Sequence, residues 1–223
     1  MPPVPAPRIA LIHALAHSIA PVNAELDREW PGATRMNLLD DSLAADLAAS
    51  PAGLDEAMTA RFIALGQYVV ATGVQGILFT CSAFGPCIEA VAQRWRDIPV
   101  LKPNEAMIAD AVRLGRRIGL VASFAPTLAS MPAEFPADVT VLPFLAEGAL
   151  DALSRGEHAL HDHLVAQAAE RAQAQGCDVV ALVQFSVARA SAAVLQVVRV
   201  PVLTTVGSAV RLLRERVEAR RQP

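Results

Sequence analysis

Cys81 stands at a position in the sequence where a thiol can do chemistry. It follows QGILFT, an apolar run that predicts a buried strand, and Gly85 and Pro86 open a helical pattern soon after it. A cysteine between a strand end and a helix N-terminus lies near unpaired backbone N–H groups, which lower the pKa of a thiol and attract anions. Such a thiolate can remove a proton or attack carbon. The alternative is a buried thiol that only packs, as most free cysteines do.

Two further polar residues lie at or near the ends of predicted strands. His13 closes the run RIALIH and can act as an acid, a base or a donor to substrate, or it can be a satisfied histidine in a domain interface. Asn37, in the predicted strand TRMNLLD, can contact a ligand. Asp40 and Asp41 come next and are expected to cap the following helix, where their charge suits the helix dipole.

Other groups of reactive residues suggest structural roles. His158, His161 and His163 are close in sequence, but on a helix His163 falls off the face that the other two share, and no zinc signature accompanies them. We therefore expect a solvated helix face and no metal site. Cys87 lies in a helical pattern and Cys177 opens a strand, so both are expected to be structural.

Composition and charge exclude several classes of protein. Hydrophobic residues make up 53% and charged residues 18%, which is typical of a well-buried globular chain. The net charge is -3 and no basic stripe occurs, so we expect no nucleic-acid partner, and no phosphate-binding glycine motif is present. The three cysteines do not form a disulfide framework, and there is no signal-like start or long apolar stretch. We expect a cytoplasmic protein that does not enter a membrane.

Short apolar runs alternate with helical patterns along the whole chain, which predicts an α/β fold with parallel sheets covered on both faces. The alternation also repeats. RIALIHAL resembles RIGLVASF, MNLLDDSLAADL resembles LPFLAEGALDAL, ATGVQGILFTCS resembles AQGCDVVALVQFS, and RDIPVLKP resembles VRVPVLTT, in the same order.

The repeat predicts two pseudo-symmetric Rossmann-like halves of roughly 100 residues each, which is near the usual domain size. We expect residues 1–103 plus 208–223 to form the first α/β half and residues 104–207 the second. Ligands of open parallel sheets bind at the carboxyl ends of the strands, so the active site is expected in the cleft between the halves.

Several of these segments resemble a known family. GILFTCSAFG resembles the first-half cysteine motif of the aspartate/glutamate racemase superfamily, an apolar strand followed by Cys-Asn-Thr or a variant. RIGLVASFAPT is similar to its mid-chain strand and threonine loop, and GCDVVALVQFSVA followed by RVPVLTTVGSAV to its second cysteine strand and closing segment. The resemblance covers nearly the whole chain. The family includes racemases of acidic amino acids, hydantoin racemases, maleate isomerases and arylmalonate decarboxylases, which need no metal or organic cofactor.

The sequence departs from this family at the second cysteine. Two-base racemases of the family place one cysteine from each half on opposite faces of the substrate carbon. Counting from Gly176 as Cys81 is counted from Gly73, the corresponding residue is Gln184, and a carboxamide takes up no proton at neutral pH. Single-thiol decarboxylases occur in the family, but their thiol belongs to the second half.

The resemblance also implies substrate-binding residues. Serine and threonine at matching loop positions bind carboxylate in the family through hydroxyl and backbone N–H groups, whereas helix capping is the alternative role for each of them. Gln184 can donate to a substrate oxygen or be hydrogen-bonded within a domain interface. The predicted catalytic residues are Cys81 and Gln184, and the predicted substrate-binding residues are His13, Asn37, Ser82, Ala83, Ser123, Thr127, Phe185 and Ser186.

The expected function is that of a cofactor-independent isomerase or racemase acting at a carbon next to a carboxylate, with Cys81 as acid/base or nucleophile. One alternative is a decarboxylase or other C–C lyase with a single thiol. Another is a binding protein for small carboxylates that has no turnover. The expected partner is a small carboxylate-containing substrate, without metal or cofactor, and the resemblance implies a possible homodimer.

Overall fold

The computed structural model describes residues 5–51 and 53–221. Contacts divide the chain into two compact units, one formed by the described residues up to Glu105 together with those from Ala209 onward, and the other by Ala106–Ser208. The predicted domain termini at residues 1 and 223 lie outside the described residues. That the two predicted halves are domains in their own right stays a prediction.

Each unit contains one four-stranded parallel sheet. The strands of the first unit are β1 (Arg8–His13), β2 (Thr34–Leu39), β3 (Gly76–Phe79) and β4 (Val100–Leu101), and those of the second are β5 (Arg117–Ala122), β6 (Thr140–Leu145), β7 (Val179–Leu182) and β8 (Val202–Thr204).

Helices follow nearly every strand, as parallel pairing requires a crossover between strands. They are α1 (Ile19–Glu29), α2 (Ser42–Ala49), α3 (Glu56–Ala71), α4 (Gly85–Arg94), α5 (Glu105–Leu114), α6 (Ala125–Ser130), α7 (Ala149–Ser154), α8 (His158–Ala174), α9 (Ser191–Val197) and α10 (Thr205–Arg221). Short 3₁₀ turns span Ala16–Ser18, Ser82–Phe84, Met131–Glu134 and Ser186–Ala190. The predicted α/β class with two parallel sheets flanked by helices is confirmed.

The two sheets have the same strand order and the same register. The orders are β2-β1-β3-β4 and β6-β5-β7-β8. Ile9 pairs with Gly76 in the first sheet as Ile118 pairs with Val179 in the second. The internal repeat predicted from the sequence is therefore a repeat of structure as well.

In both units, a glycine ends the helix that precedes the third strand of the sheet. Gly73, just beyond α3, has φ 78°, and Gly176, just beyond α8, has φ 76°. This left-handed conformation suits glycine and ends both helices, as the sequence predicts. Counting from these glycines, Gln184 takes the place in the second unit that Cys81 takes in the first.

Burial explains the residue pattern of the strands. The inner strands β1, β3, β5 and β7 are buried at nearly every position, because helices cover both faces of a parallel sheet. The edge strands β2 and β6 are mostly half-buried or exposed. No helix within the described residues has the length and apolar character needed to cross a membrane.

Candidate active site

The loop that carries Cys81 is fixed to the core of the first unit by aromatic rings. Cys81 has an extended backbone, with φ −126° and ψ 122°, directly before the 3₁₀ turn Ser82–Phe84. Phe79 at the end of β3 and Phe84 in the turn both pack on Phe62 of α3, with ring centroids 5.4 Å and 4.9 Å apart. Aromatic pairs at these distances attract each other, so the residues on both sides of the thiol are held in place.

The thiol of Cys81 is half-buried and packs against this core. Burial raises the pKa of Cys81, and a hydrogen bond from the backbone N–H of Ala83 lowers it by less. The prediction of a lowered thiol pKa is therefore wrong, because desolvation disfavours the thiolate and outweighs the one backbone donor that acts on it. The resting group near neutral pH is the protonated thiol.

Beside Cys81, a chain of hydrogen bonds runs through four side chains of the first unit. Thr80 Oγ1 lies 2.9 Å from His13 Nδ1. His13 Nε2 lies 3.0 Å from Asn37 Oδ1, and Asn37 donates onward to Asn23 of α1 at 3.3 Å. Because an amide oxygen accepts, His13 Nε2 carries the ring hydrogen and Nδ1 accepts from the Thr80 hydroxyl. The chain therefore links the ends of β1 and β3 to the middle of β2 and to α1.

His13 is a buried member of this chain and its side chain is not open to solvent. Burial lowers the pKa of His13, and the hydrogen bond with Asn37 raises it by less. The imidazole is therefore neutral near pH 7, and both ring nitrogens have partners. Of the two roles considered for His13, the structure favours the satisfied histidine, with its partners in its own unit.

A charged cluster follows β2. Asp40 accepts from Ser42 of α2, through Oγ at 2.8 Å and the backbone N–H at 3.3 Å, and from Arg61 Nε at 2.9 Å. Arg61 also binds Asp46 at 2.5 Å. Desolvation raises the pKa of Asp40, but the hydrogen bonds from Ser42 and Arg61 together hold it below its usual value. Asp41 is the N-cap residue of α2 but makes no side-chain capping bond, so the predicted capping role is wrong for Asp41, whereas Asp40 accepts from the first N–H of the helix.

In the second unit, Gln184 is held by two residues that the sequence also predicts as site residues. Its Oε1 accepts from the backbone N–H of Ser123 at 2.8 Å and from Ser123 Oγ at 3.1 Å. Its Nε2 donates to Thr127 Oγ1 at 3.4 Å. The carboxamide is thus oriented by the residue that follows β5 and by helix α6.

The remaining predicted residues differ in their accessibility. Ser82 and Ala83 are exposed, and Ser186 is half-buried at the start of its 3₁₀ turn. Phe185 is buried, so its side chain belongs to the interior. The structure thus brings Cys81 and His13 to the carboxyl end of the first sheet, with Asn37 two residues before the end of β2, and it groups Gln184, Ser123 and Thr127 at the carboxyl end of the second. Parallel sheets bind ligands at this end.

The histidines of α8 do not all lie on a solvated face. His158 and His163 are exposed, but His161 is fully buried, so the prediction is wrong for that residue. His161 shares its helix face with buried Val165, Ala168 and Ala172, a spacing that the sequence already contains. Its Nδ1 lies 2.7 Å from Asp162 Oδ1. Within the described residues there is no cluster of His, Cys, Asp or Glu that could hold a metal ion.

Two members of the hydrogen-bond chain were not predicted. Thr80 is a polar residue at the end of an apolar run and next to the candidate thiol, which is a signal that the sequence offers. Asn23 lies within a helix and has no such signal. Its role depends on the packing of α1 against β2, which cannot be predicted from the spacing of residues in the sequence.

The sequence matches the family described as Asp/Glu/hydantoin racemase over residues 17–213. The chain belongs to this family. Among curated proteins, none matches it significantly. The match spans both cysteine-equivalent positions, Cys81 and Gln184, and so includes every predicted site residue except His13.

Solved structures of racemase-family proteins share the fold. Allantoin racemase from Klebsiella pneumoniae has a TM-score of 0.69 at 17% identity, covering 96% of this chain and 89% of that one. An aspartate racemase homologue from Pyrococcus horikoshii OT3 has a TM-score of 0.71 at 15% identity, covering 95% and 99%. An arylmalonate decarboxylase has a TM-score of 0.67 at 16% identity, covering 95% and 92%. With its family membership, this makes the protein an enzyme of the Asp/Glu racemase type.

Proposed function

We propose that this enzyme is a cofactor-independent isomerase or racemase that acts at a carbon next to a carboxylate, with Cys81 as its acid/base. The observation that carries the proposal is a half-buried thiol at the carboxyl end of a parallel sheet in a racemase-family chain. The Thr80–His13 hydrogen bond and the rings of Phe79 and Phe84 hold the loop that bears it.

The raised pKa of Cys81 bears on how the proton moves. A desolvated thiolate is a stronger base than an ordinary one, which helps it to remove a weakly acidic hydrogen next to a carboxylate. Cys81 rests as a thiol, so it must first release its proton to solvent. The thiolate then takes the substrate hydrogen: the S–H bond forms, the C–H bond breaks, and the electron pair stays on the substrate as an enolate. If the thiol returns a proton to the same face, the substrate and the thiolate are regenerated. Inversion requires a second acid that donates to the opposite face, after which Cys81 releases its proton to solvent.

Substrate carboxylate is expected to bind through donors at the sheet ends. The exposed Ser82 hydroxyl and the neighbouring backbone are the candidates in the first unit. In the second unit, the Gln184 amide is oriented by Ser123 and Thr127 and can donate to a carboxylate or carbonyl oxygen. The Ser82 hydroxyl and the Gln184 amide are neutral donors, so they can bind a carboxylate near neutral pH without gaining or losing a proton.

A single-thiol decarboxylase is the second candidate. Two observations favour it: Gln184 occupies the position equivalent to Cys81, and Cys81 rests as a protonated thiol. In this reaction the bond to a carboxylate breaks, carbon dioxide leaves, and Cys81 donates its proton to the resulting carbanion. Solvent then restores the proton to sulfur.

We also propose that the enzyme works in the cytoplasm. Cys81, Cys87 and Cys177 are free thiols, which suit a reducing compartment.

The proposal is tested by incubating the enzyme in deuterated water with acidic amino acids, hydantoins, dicarboxylates and arylmalonates, and following each compound by NMR. Deuterium at the reacting carbon without loss of carbon supports the isomerase, and loss of carbon dioxide supports the lyase. Cys81→Ala should abolish either signal. Cys177→Ala is the matched control, since Cys177 is a buried thiol two residues before β7. Undiminished turnover in Cys81→Ala would refute the role of this thiol.

A further inference from the structure

An ion pair holds the turn that follows Gln184 against helix α8. Gln184 comes shortly before the 3₁₀ turn Ser186–Ala190. Within this turn, Arg189 donates twice to Asp162 of α8, from Nε to Oδ1 at 2.9 Å and from a terminal guanidinium nitrogen to Oδ2 at 3.3 Å. The two side chains are 32% and 24% exposed, so solvent screens this pair less than a pair on an open surface.

A buried histidine donates to the same carboxylate. His161 Nδ1 lies 2.7 Å from Asp162 Oδ1, and the ring nitrogen is the donor because a carboxylate only accepts. The ring is fully buried, and its Nε2 has no hydrogen-bond partner among the described residues. Burying a polar atom without a partner costs free energy, so packing alone does not account for a histidine at this position. Its bond to Asp162 gives the ring a role, which is to orient the carboxylate.

The carboxylate of Asp162 is ionised near neutral pH. Desolvation raises the pKa of Asp162, but the hydrogen bonds from Arg189 and His161 together hold it below its usual value. A charged carboxylate with two charged or polar donors forms stronger hydrogen bonds than a neutral pair would.

The internal repeat brings the equivalent positions together in the first unit. Counted back from the glycines that end the two helices, Thr59 of α3 is equivalent to Asp162 of α8. Counted back from the proline before the fourth strand of each sheet, Cys87 is equivalent to Arg189. Thr59 Oγ1 and Cys87 Sγ lie 3.5 Å apart. The fold therefore places these two positions in contact in both units, and the second unit uses the contact for an ion pair.

The second unit lacks the aromatic rings that hold the turn of the first unit. There, Phe84 of the turn packs on Phe62 of α3. Neither α8 nor the turn Ser186–Ala190 contains Phe, Tyr or Trp. The buried side chains of this turn include Val187 and Ala190, which pack against alanines of α8. These residues bury less surface than a phenylalanine, so the ion pair has a larger part in fixing the turn.

We propose that the Asp162–Arg189 ion pair positions the segment that carries Gln184 for its contact with substrate. His161 contributes by orienting the Asp162 carboxylate. The inference rests on the proposed function, in which the Gln184 amide donates to a substrate oxygen. The members of the ion pair act through Gln184 and are positioning residues.

Amide hydrogen exchange of the turn, read by mass spectrometry, tests the anchor without any need for turnover. The N–H of Ala188 is bonded to Phe185 O and that of Ser191 to Ala188 O, so both should exchange slowly in the wild-type enzyme. Arg189→Met keeps a stem of similar length and removes the charge, and it should speed amide exchange of the turn by about fivefold or more. An increase of less than about twofold in folded protein overturns the inference.

Two companion variants locate the effect. Arg155→Met is the matched control, since Arg155 forms a similar two-bond pair with Glu157 in the same unit, and it should leave amide exchange of the turn unchanged. His161→Leu keeps the helix face apolar and removes the second donor to Asp162, so it should speed amide exchange in the same direction as Arg189→Met. Unchanged amide exchange in His161→Leu would refute the role given to this histidine.

A double-mutant cycle distinguishes positioning from general support of the fold. With the compound that takes up deuterium fastest in the screen, Arg189→Met should lower the rate in the wild-type background and have little further effect on the residual rate of Gln184→Ala, because residues that act through one another are not additive. Arg189→Lys keeps the charge and should restore part of the lost rate. Equal losses in both backgrounds overturn the positioning role.

The outcome for the proposed function is read separately. If none of the screened compounds takes up deuterium or loses carbon dioxide, the proposed reaction fails, and amide exchange of the turn still decides whether the ion pair anchors it. If substrate turns over while Arg189→Met leaves both the turn and the rate unchanged, the reaction stands and the ion pair has no part in it.

Discussion

Thr80→Val isolates the hydrogen bond that links the Cys81 loop to His13. Valine keeps the shape of threonine and removes only the hydroxyl, which donates to His13 Nδ1 at 2.9 Å. Both residues are buried, so the ring nitrogen is left without a donor. Leaving a buried polar group unsatisfied costs about 1–3 kcal/mol. We expect the free energy of unfolding to fall by about that amount.

Urea unfolding followed by circular dichroism measures this change. Thr34→Val is the matched control, since Thr34 is the exposed first residue of β2 in the same sheet. The control should lie within about 0.5 kcal/mol of wild type, as is usual for surface substitutions. If Thr80→Val is as stable as the control, the hydroxyl is not the donor that fixes His13, and the proposed tautomer with hydrogen on Nε2 is wrong.

The same variant separates positioning from chemistry. Since Thr80 precedes Cys81, loss of its bond should lower turnover in Thr80→Val while the iodoacetamide reactivity of Cys81 stays within a few-fold of wild type. A shift of roughly 1 Å in a reacting group can cost about a hundredfold in rate. A variant with full activity would show that the thiol is held by the aromatic rings alone.

Three other predictions concern titration and the missing second thiol. Because the pKa of His13 is lowered in the folded protein, its contribution to stability is full above the unfolded pKa of about 6.5. Below that pH the contribution declines by at most about 1.4 kcal/mol per pH unit. His13→Gln should flatten this decline in the free energy of unfolding measured across pH. Iodoacetamide should label Cys81 before buried Cys87 and Cys177, at a rate that still climbs with pH above the range of an ordinary thiol because its pKa is raised, and earlier labelling of either buried thiol would contradict this. Gln184→Cys should raise α-proton exchange over wild type while Gln184→Ala does not, as read by deuterium incorporation. A folded Gln184→Cys variant that still binds substrate and shows no increase would contradict the expectation that a thiol at this position can act as the second acid/base.

Sequence patterns predicted the fold better than the chemistry of its site. Runs of buried residues gave β1 and β3, and glycines gave the ends of α3 and α8, because both signals are local. When the two halves are aligned by the repeat, Gln184 is equivalent to Cys81, and the strand register of the two sheets gives the same equivalence.

The pKa of Cys81 and the environment of His161 were not predictable in the same way. The thiol pKa depends on how deeply Cys81 is buried against the core of the first unit, and that core includes Phe62 of α3, a distant part of the chain. His13 and Thr80 are likewise 67 residues apart in sequence. His161 did carry a local signal, because it lies on the apolar face of α8. Its polar side chain nevertheless favoured the prediction of a solvent-exposed position.

The inequality of the two equivalent positions has a consequence for mirror-image substrates. Cys81 can carry a proton, whereas Gln184 at the matching place can only form hydrogen bonds. If Cys81 is the one proton carrier, as proposed, only the enantiomer whose hydrogen faces the thiol can lose that hydrogen to it. The enzyme should therefore treat the two enantiomers of a substrate unequally, and hydrogen exchange into one of them should run ahead of any loss of optical activity.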